Sequence, residues 1–264
     1  AAGSGRCGSF GRDGLFDDHG AGEFLVGEEA VVDDQHAVLI HGDGAKPPVA
    51  GGDGGFRAVL PFHGHLSAVS SIVYGGEIII DGGTIFALSL GDGAGIGGGN
   101  GGDSGTIVIN GGIVNATAGK YSTAIGASTD YTNKVYGHCT PIRIYGGNVT
   151  ATGDGTDGAA IGGARNGTME GIEIYGGEIT TANGSVGLGI GALGKKGDYE
   201  PYVTVYGGKI NTTRIGQADS YTDNTYPKVN INIHGGEVTA SLGIGSAEGD
   251  SGQIAITGGK VIAY

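Results

Sequence analysis

The chain has 264 residues, of which 61 are Gly, with 2 Cys, no Trp and a formal net charge of -13 at pH 7. That much Gly without a three-residue period excludes collagen, and a 38% hydrophobic fraction gathered in short Ile and Val runs excludes plain disorder. The charge argues against nucleic acid as a partner, and no apolar run approaches the roughly 20 residues that membrane insertion by a helix needs.

Residues 1–70 form a region of their own. They hold no Thr, Tyr or Asn, and their only Ile is Ile40, whereas the remainder carries all 12 Tyr. Five of the seven His, among them His19, His36, His41, His63 and His65, lie here at spacings that match no defined metal site. The runs Phe24 to Val26 and Ala30 to Ile40 predict one or two strands. Two readings compete: a cap over the first coil of a repeat array, or a segment of foreign origin such as a fusion or a shifted reading frame. The start at Ala1, with no apolar leader run, reads as processed or trimmed. Cys7 and Cys139 stand too far apart in the chain for a metal motif or a disulfide framework.

Residues 71–264 repeat. Gly pairs begin at Gly75, Gly82, Gly111, Gly146, Gly176, Gly207, Gly235 and Gly258, and from Gly82 onward they are 29, 35, 30, 31, 28 and 23 residues apart. Each pair lies between short alternating runs, as in Ile172-Glu173-Ile174-Tyr175-Gly176-Gly177-Glu178-Ile179-Thr180. A small-Ile-Gly unit follows, around Ile96, Ile125, Ile161, Ile190, Ile215 and Ile244. Alternation with period two gives strands with one apolar face, and the Gly pair supplies a bend. One repeat of about 30 residues cannot bury its own apolar row, whereas stacked repeats can. The expectation is an all-β, right-handed parallel β-helix of about six to seven coils, the hand following the preference of parallel crossovers. Stacking predicts ladders: Tyr145, Tyr175, Tyr206 and His234 before the pair; Asn148, Glu178, Lys209, Glu237 and Lys260 after it; and Asn115, Thr150, Thr180, Asn211 and Thr239 in the next outward row. The final coil ends at Tyr264 without an evident cap, which invites a partner or a further domain to cover it.

Chemistry concentrates in three loops of unequal length: Ser128 to Thr140, Gly194 to Pro201 and Gln217 to Pro227. They leave the coil at one topological position, so stacking places them on one side. They supply Tyr131, Tyr136, Tyr199, Tyr221 and Tyr226 together with Lys134 and Lys195 as substrate-binding candidates, since aromatic faces and polar groups suit sugar rings. Asp130, Asp198, Glu200, Asp219 and Asp223 are the candidates for catalysis by paired carboxylates. An eliminating lyase would instead draw a base from Lys134, Lys195, Lys196 or Arg214. No cofactor is called for. Calcium has two weak matches, the turn from Gly98 to Asp103 and the acidic turn from Gly153 to Gly158.

From Gly93 (GAGIGGG), with the recurrent Gly-Gly-x-Val/Ile-x-Ala and Ala-Ile-Gly-Gly units, residues 72–264 resemble the Gly-rich right-handed parallel β-helix repeats of secreted and surface bacterial proteins. The resemblance implies a secreted or cell-surface location and a carbohydrate-binding or adhesin-like role. The leading expectation is a protein that engages a polysaccharide along the loop-lined side. A glycoside hydrolase or polysaccharide lyase is the alternative, and a structural or adhesin stalk the third. Fold analogy raises these priors without assigning a reaction.

Overall fold

In the computed structural model the described residues are the strands Glu23–Phe24, His36–Leu39, Arg57–Val59 and His65–Ser67, then 77–264 except 90, 156, 196, 219–226 and 249. They form an all-β solenoid, with no helix among them. No helix among them is long and apolar enough to cross a membrane. Three parallel sheets run its length. The pre-pair sheet has eight strands, from Arg57–Val59 to Ile254–Ile256; the post-pair sheet has ten, from Glu23–Phe24 to Lys260–Ala263. The Ile-Gly sheet stacks six strands, so the chain makes about five turns between Ile96–Gly97 and Ile244–Ser246. A further turn adds Ile254–Ile256 and Lys260–Ala263 to the other two sheets.

The register follows the aligned Gly pairs. Ile107, Ile142, Ile172, Val203 and Ile231 stand one above the other, each fully buried. Val114, Val149, Ile179, Ile210 and Val238 do the same across the bend. Each inward row is therefore a continuous apolar stack, the device by which a short repeat acquires a core. At the bend, Gly177 has φ +92°, and a Cβ there would lie 2.7 Å from the Gly147 carbonyl oxygen one coil away. Only Gly meets both demands, which is why the second Gly of the pair recurs.

Two sequence assignments move. Gly75 is not equivalent to Gly82: the residue after its pair, Glu77, opens a pre-pair strand and aligns with Thr106. In the Ile-Gly sheet the partner of Ile161 and Ile215 is Leu188, so the unit expected at Ile190 sits two residues earlier. The stretch Gly187-Leu188-Gly189-Ile190-Gly191 fits either frame, because a shift of two keeps every side chain on its own face. The first four strands join the same sheets in parallel, with His36 opposite His65 and His65 opposite Thr84. Glu23–Phe24 and His36–Leu39 fall on or beside the two runs predicted from sequence. The remainder of 1–70, with Cys7, His19, His41 and His63, lies outside the described residues.

Candidate functional site

The outer surface of the pre-pair sheet is bounded by two corners. At the bend corner the predicted aromatic ladder forms: Tyr145, Tyr175 and Tyr206 stack with centroids 4.7 Å apart and planes 12° apart, and His234 follows Tyr206 at 5.4 Å. Hydrogen bonds extend the ladder at both ends, from Asn110 Nδ2 to Asp81 (2.6 Å) and between His234 Nδ1 and Thr257 Oγ1 (2.8 Å). The ring faces are thus spent on one another, and what the ladder offers to solvent is ring edges and hydroxyls. Beside it, Lys209 pairs with Glu178 at 2.6 Å and Lys260 with Glu237 at 3.5 Å, the charge alternation expected of the next row. Thr150, Thr180, Asn211 and Thr239 align one over the other in the row beyond.

At the loop corner the coils differ. Residues 128–140 fold into an antiparallel hairpin of Thr129–Asp130 and Val135–Tyr136, then enter a short parallel pairing of His138–Cys139 with Thr168–Met169. Lys195 and Tyr199, from the next loop, lie over both. Among the described residues Lys195 donates to no carboxylate; its Nζ sits 4.1 Å from the Tyr136 ring centroid while its backbone N–H bonds the Gly167 carbonyl. The Tyr199 ring stacks on His138 at 5.9 Å, and the residue is 55% exposed, more than the other described Tyr at this corner. The structure therefore brings Tyr136, Lys195 and Tyr199 together, as the shared exit point of the loops requires.

The other expected residues have separate fates. Asp130 is buried and accepts from the backbone and side-chain nitrogens of Asn133, at 2.8 and 2.6 Å. Burial pushes its carboxyl up, but the hydrogen bonds from Asn133 and the Thr132 backbone outweigh this and hold it below the usual carboxylate value. Its charge serves the hairpin turn. Tyr131 packs on Tyr121 at 5.0 Å, with the Arg165 guanidinium over both rings and paired with Asp157. Lys134 is exposed at the hairpin tip, with φ +58°. Asp198 and Glu200 are exposed beside Tyr199. Arg214 lies at a different corner, between Lys209–Thr212 and Ile215–Gln217, and donates to the Ser246 carbonyl. Asp219, Asp223, Tyr221, Tyr226 and Lys196 lie outside the described residues. Of the calcium turns, Asp103 accepts the His138 N–H at 2.6 Å and Asp154 accepts the Tyr121 N–H at 2.7 Å. Among the described residues no cluster of three or more His, Cys, Asp or Glu side chains could hold a metal ion.

Sequence reasoning missed the polar residues that run from the loop corner toward the bend. His138 Nε2 lies 3.0 Å from Glu170 Oε1, and His138 Nδ1 lies 2.6 Å from Thr168 Oγ1. Glu173 accepts from Arg143 at 3.0 Å, from Tyr202 Oη at 2.9 Å and from Tyr175 Oη at 3.2 Å. Burial and the Glu173 carboxylate push the Tyr202 phenol up to about 12, so it is a committed donor. A signal was present. His138, Thr168 and Tyr199 each lie eight residues before their Gly pair, so counting backward from the pairs puts them in one row.

Parallel β-helix is the class that this fold defines. In agreement, four segments, 78–100, 142–165, 172–195 and 231–250, match the family model of the beta helix repeat. No curated protein and no solved structure matches the chain.

Proposed function

We propose that the protein binds a polysaccharide along the loop-lined side of the helix, with the His138–Tyr199 corner as the central subsite. One observation carries this reading: two separate loops converge there, and they leave Tyr199 55% exposed with an imidazole behind its ring. An exposed ring backed by a rigid sheet stacks on the C–H face of a sugar at little entropic cost. Lys195, Asp198 and Glu200 stand on the same loop for hydrogen bonds to hydroxyls. The aromatic ladder borders the surface and contributes phenol hydroxyls rather than stacking faces. With such a partner the protein works outside the cytoplasm, secreted or held at a cell surface.

The test is retention on immobilised plant, microbial and mucin polysaccharides, with the same samples assayed for new reducing ends and unsaturated uronates. Wild type is expected to be retained on at least one glycan, and Tyr199→Ala to weaken retention about tenfold, the equivalent of about 1.4 kcal/mol. Absence of retention on every glycan, or full retention by Tyr199→Ala, overturns the reading. New chain ends without a binding defect in that variant would move the assignment to a hydrolase or lyase elsewhere on the surface.

A further inference from the structure

We propose that Thr168, His138 and Glu170 form a hydroxyl–imidazole–carboxylate centre that hydrolyses O-acyl esters. The substrate class, acyl groups carried on a glycan, rests on the binding reading above; the centre itself rests on geometry alone. The Glu170 carboxylate can only accept, so in the neutral ring the proton sits on Nε2 and is donated to Glu170 across 3.0 Å. Nδ1 is then an acceptor, and the Thr168 hydroxyl donates to it across 2.6 Å. A nucleophile on a base, with the base held by a carboxylate, is the arrangement that activates a hydroxyl. It is recognised by geometry and not by order in the chain.

Three further facts set this group apart from the other polar pairs in the stack. The His138 and Glu170 side chains are 26% and 25% exposed, so a ligand can reach them. Buried hydroxyls nearby spend their protons on backbone carbonyls, as Thr123 does on Ala127 and Thr129 on Arg165. Residue 197 is Gly, so no side chain at that position stands against Thr168, where a Cβ would lie 3.4 Å away. The similar pair His234 and Thr257 has no carboxylate partner in any described contact and serves as an internal control.

In the reaction Thr168 Oγ1 adds to the ester carbonyl carbon while its proton passes to His138 Nδ1. The Glu170 carboxylate stabilises the imidazolium through Nε2–H. The intermediate collapses with cleavage of the bond between the acyl carbon and the sugar oxygen, which takes the proton from Nδ1. Water, deprotonated by the same nitrogen, adds to the acyl-Thr168 ester; the bond to Oγ1 breaks, Thr168 recovers its proton and the carboxylic acid leaves. The net change is ester plus water to alcohol plus acid, with no oxidant or cofactor.

The experiment measures acetate release by the full chain from p-nitrophenyl acetate and from O-acetylated xylan, and maps adducts of a fluorophosphonate probe by mass spectrometry. Wild type is expected to release acetate and to carry the adduct on the Thr168 peptide. Thr168→Val and His138→Ala should lose about 100-fold or more, Thr168→Ser, which keeps a hydroxyl, should restore part of what Thr168→Val loses, His234→Ala should keep most activity, and Glu170→Gln, a positioning change, should lower kcat and shift the pH profile. Near-UV circular dichroism checks that each variant is folded. No release from either ester, or Thr168→Val as active as wild type, overturns the proposal. Glycan retention without any release overturns this centre and leaves the binding reading intact. Release that depends on Thr168 without glycan retention upholds the centre and removes the glycan.

Discussion

The bend corner and the loop corner are built from the same strands by opposite rules. At the bend every coil is alike: Gly147, Gly177, Gly208, Gly236 and Gly259 have φ between +87° and +94°. The N–H groups of Asn148, Glu178, Lys209, Glu237 and Lys260 each bond the carbonyl one coil back at 2.8 Å. At the loop corner the coils differ in content and most differ in length, and both the Tyr199 subsite and the His138 centre are proposed there. Uniform rungs add their stabilities along the stack, whereas a loop outside the stack varies at small cost. The difference teaches that in this solenoid stability is a property of the repeat and chemistry a property of its exceptions.

The sharpest way to break that division is to alter a repeated Gly. Gly189→Ala would place a Cβ 1.8 Å from the Gly216 carbonyl oxygen at φ +141°, and backbone cannot yield that far. The expected cost is about 4 kcal/mol or more, read as a large fall in denaturation midpoint or failure to fold. Next in size, Tyr206→Ala removes a ring stacked on both sides. It should lower stability by about 0.5–1.5 kcal/mol beyond lost area, in urea titration, while weakening glycan retention less than Tyr199→Ala does. Tyr199→Ala should do the reverse, changing stability by less than about 0.5 kcal/mol. The smallest effect concerns pH. The Asp130 carboxyl lies below its ordinary value of 3.8 in the folded chain, so its contribution is fully present above that value and is lost as pH falls through the lower folded one. Asp130→Asn should therefore flatten the acid limb of the stability–pH curve, and an unchanged limb would remove the turn role given to this residue.

Legibility in the sequence followed the same division. The Gly pairs, the apolar rows and both exposed ladders could be read because each constraint acts locally and recurs, as at Gly177 and Tyr175. The Ile190 frame slipped to Leu188 because a shift of two residues changes no local preference. His138, Thr168 and Glu170 escaped because their meeting depends on the register of adjacent coils and happens once. Asp130 was singled out as an acid, but its turn, closed by Asn133, spends that charge within four residues. Tyr136, Lys195 and Tyr199 were found by a topological argument, the common exit of the loops, which is weaker than periodicity but independent of it.

The tyrosine ladder gives the molecule an optical signature. Three phenol rings locked nearly parallel at 4.7 Å couple their electronic transitions, and the chain contains no Trp to mask the result. Its near-ultraviolet dichroism should be dominated by the middle of the stack and should vanish with coil register before the backbone signal does. The fold thus carries a built-in chromophore that reports, without any label, whether neighbouring coils are in step.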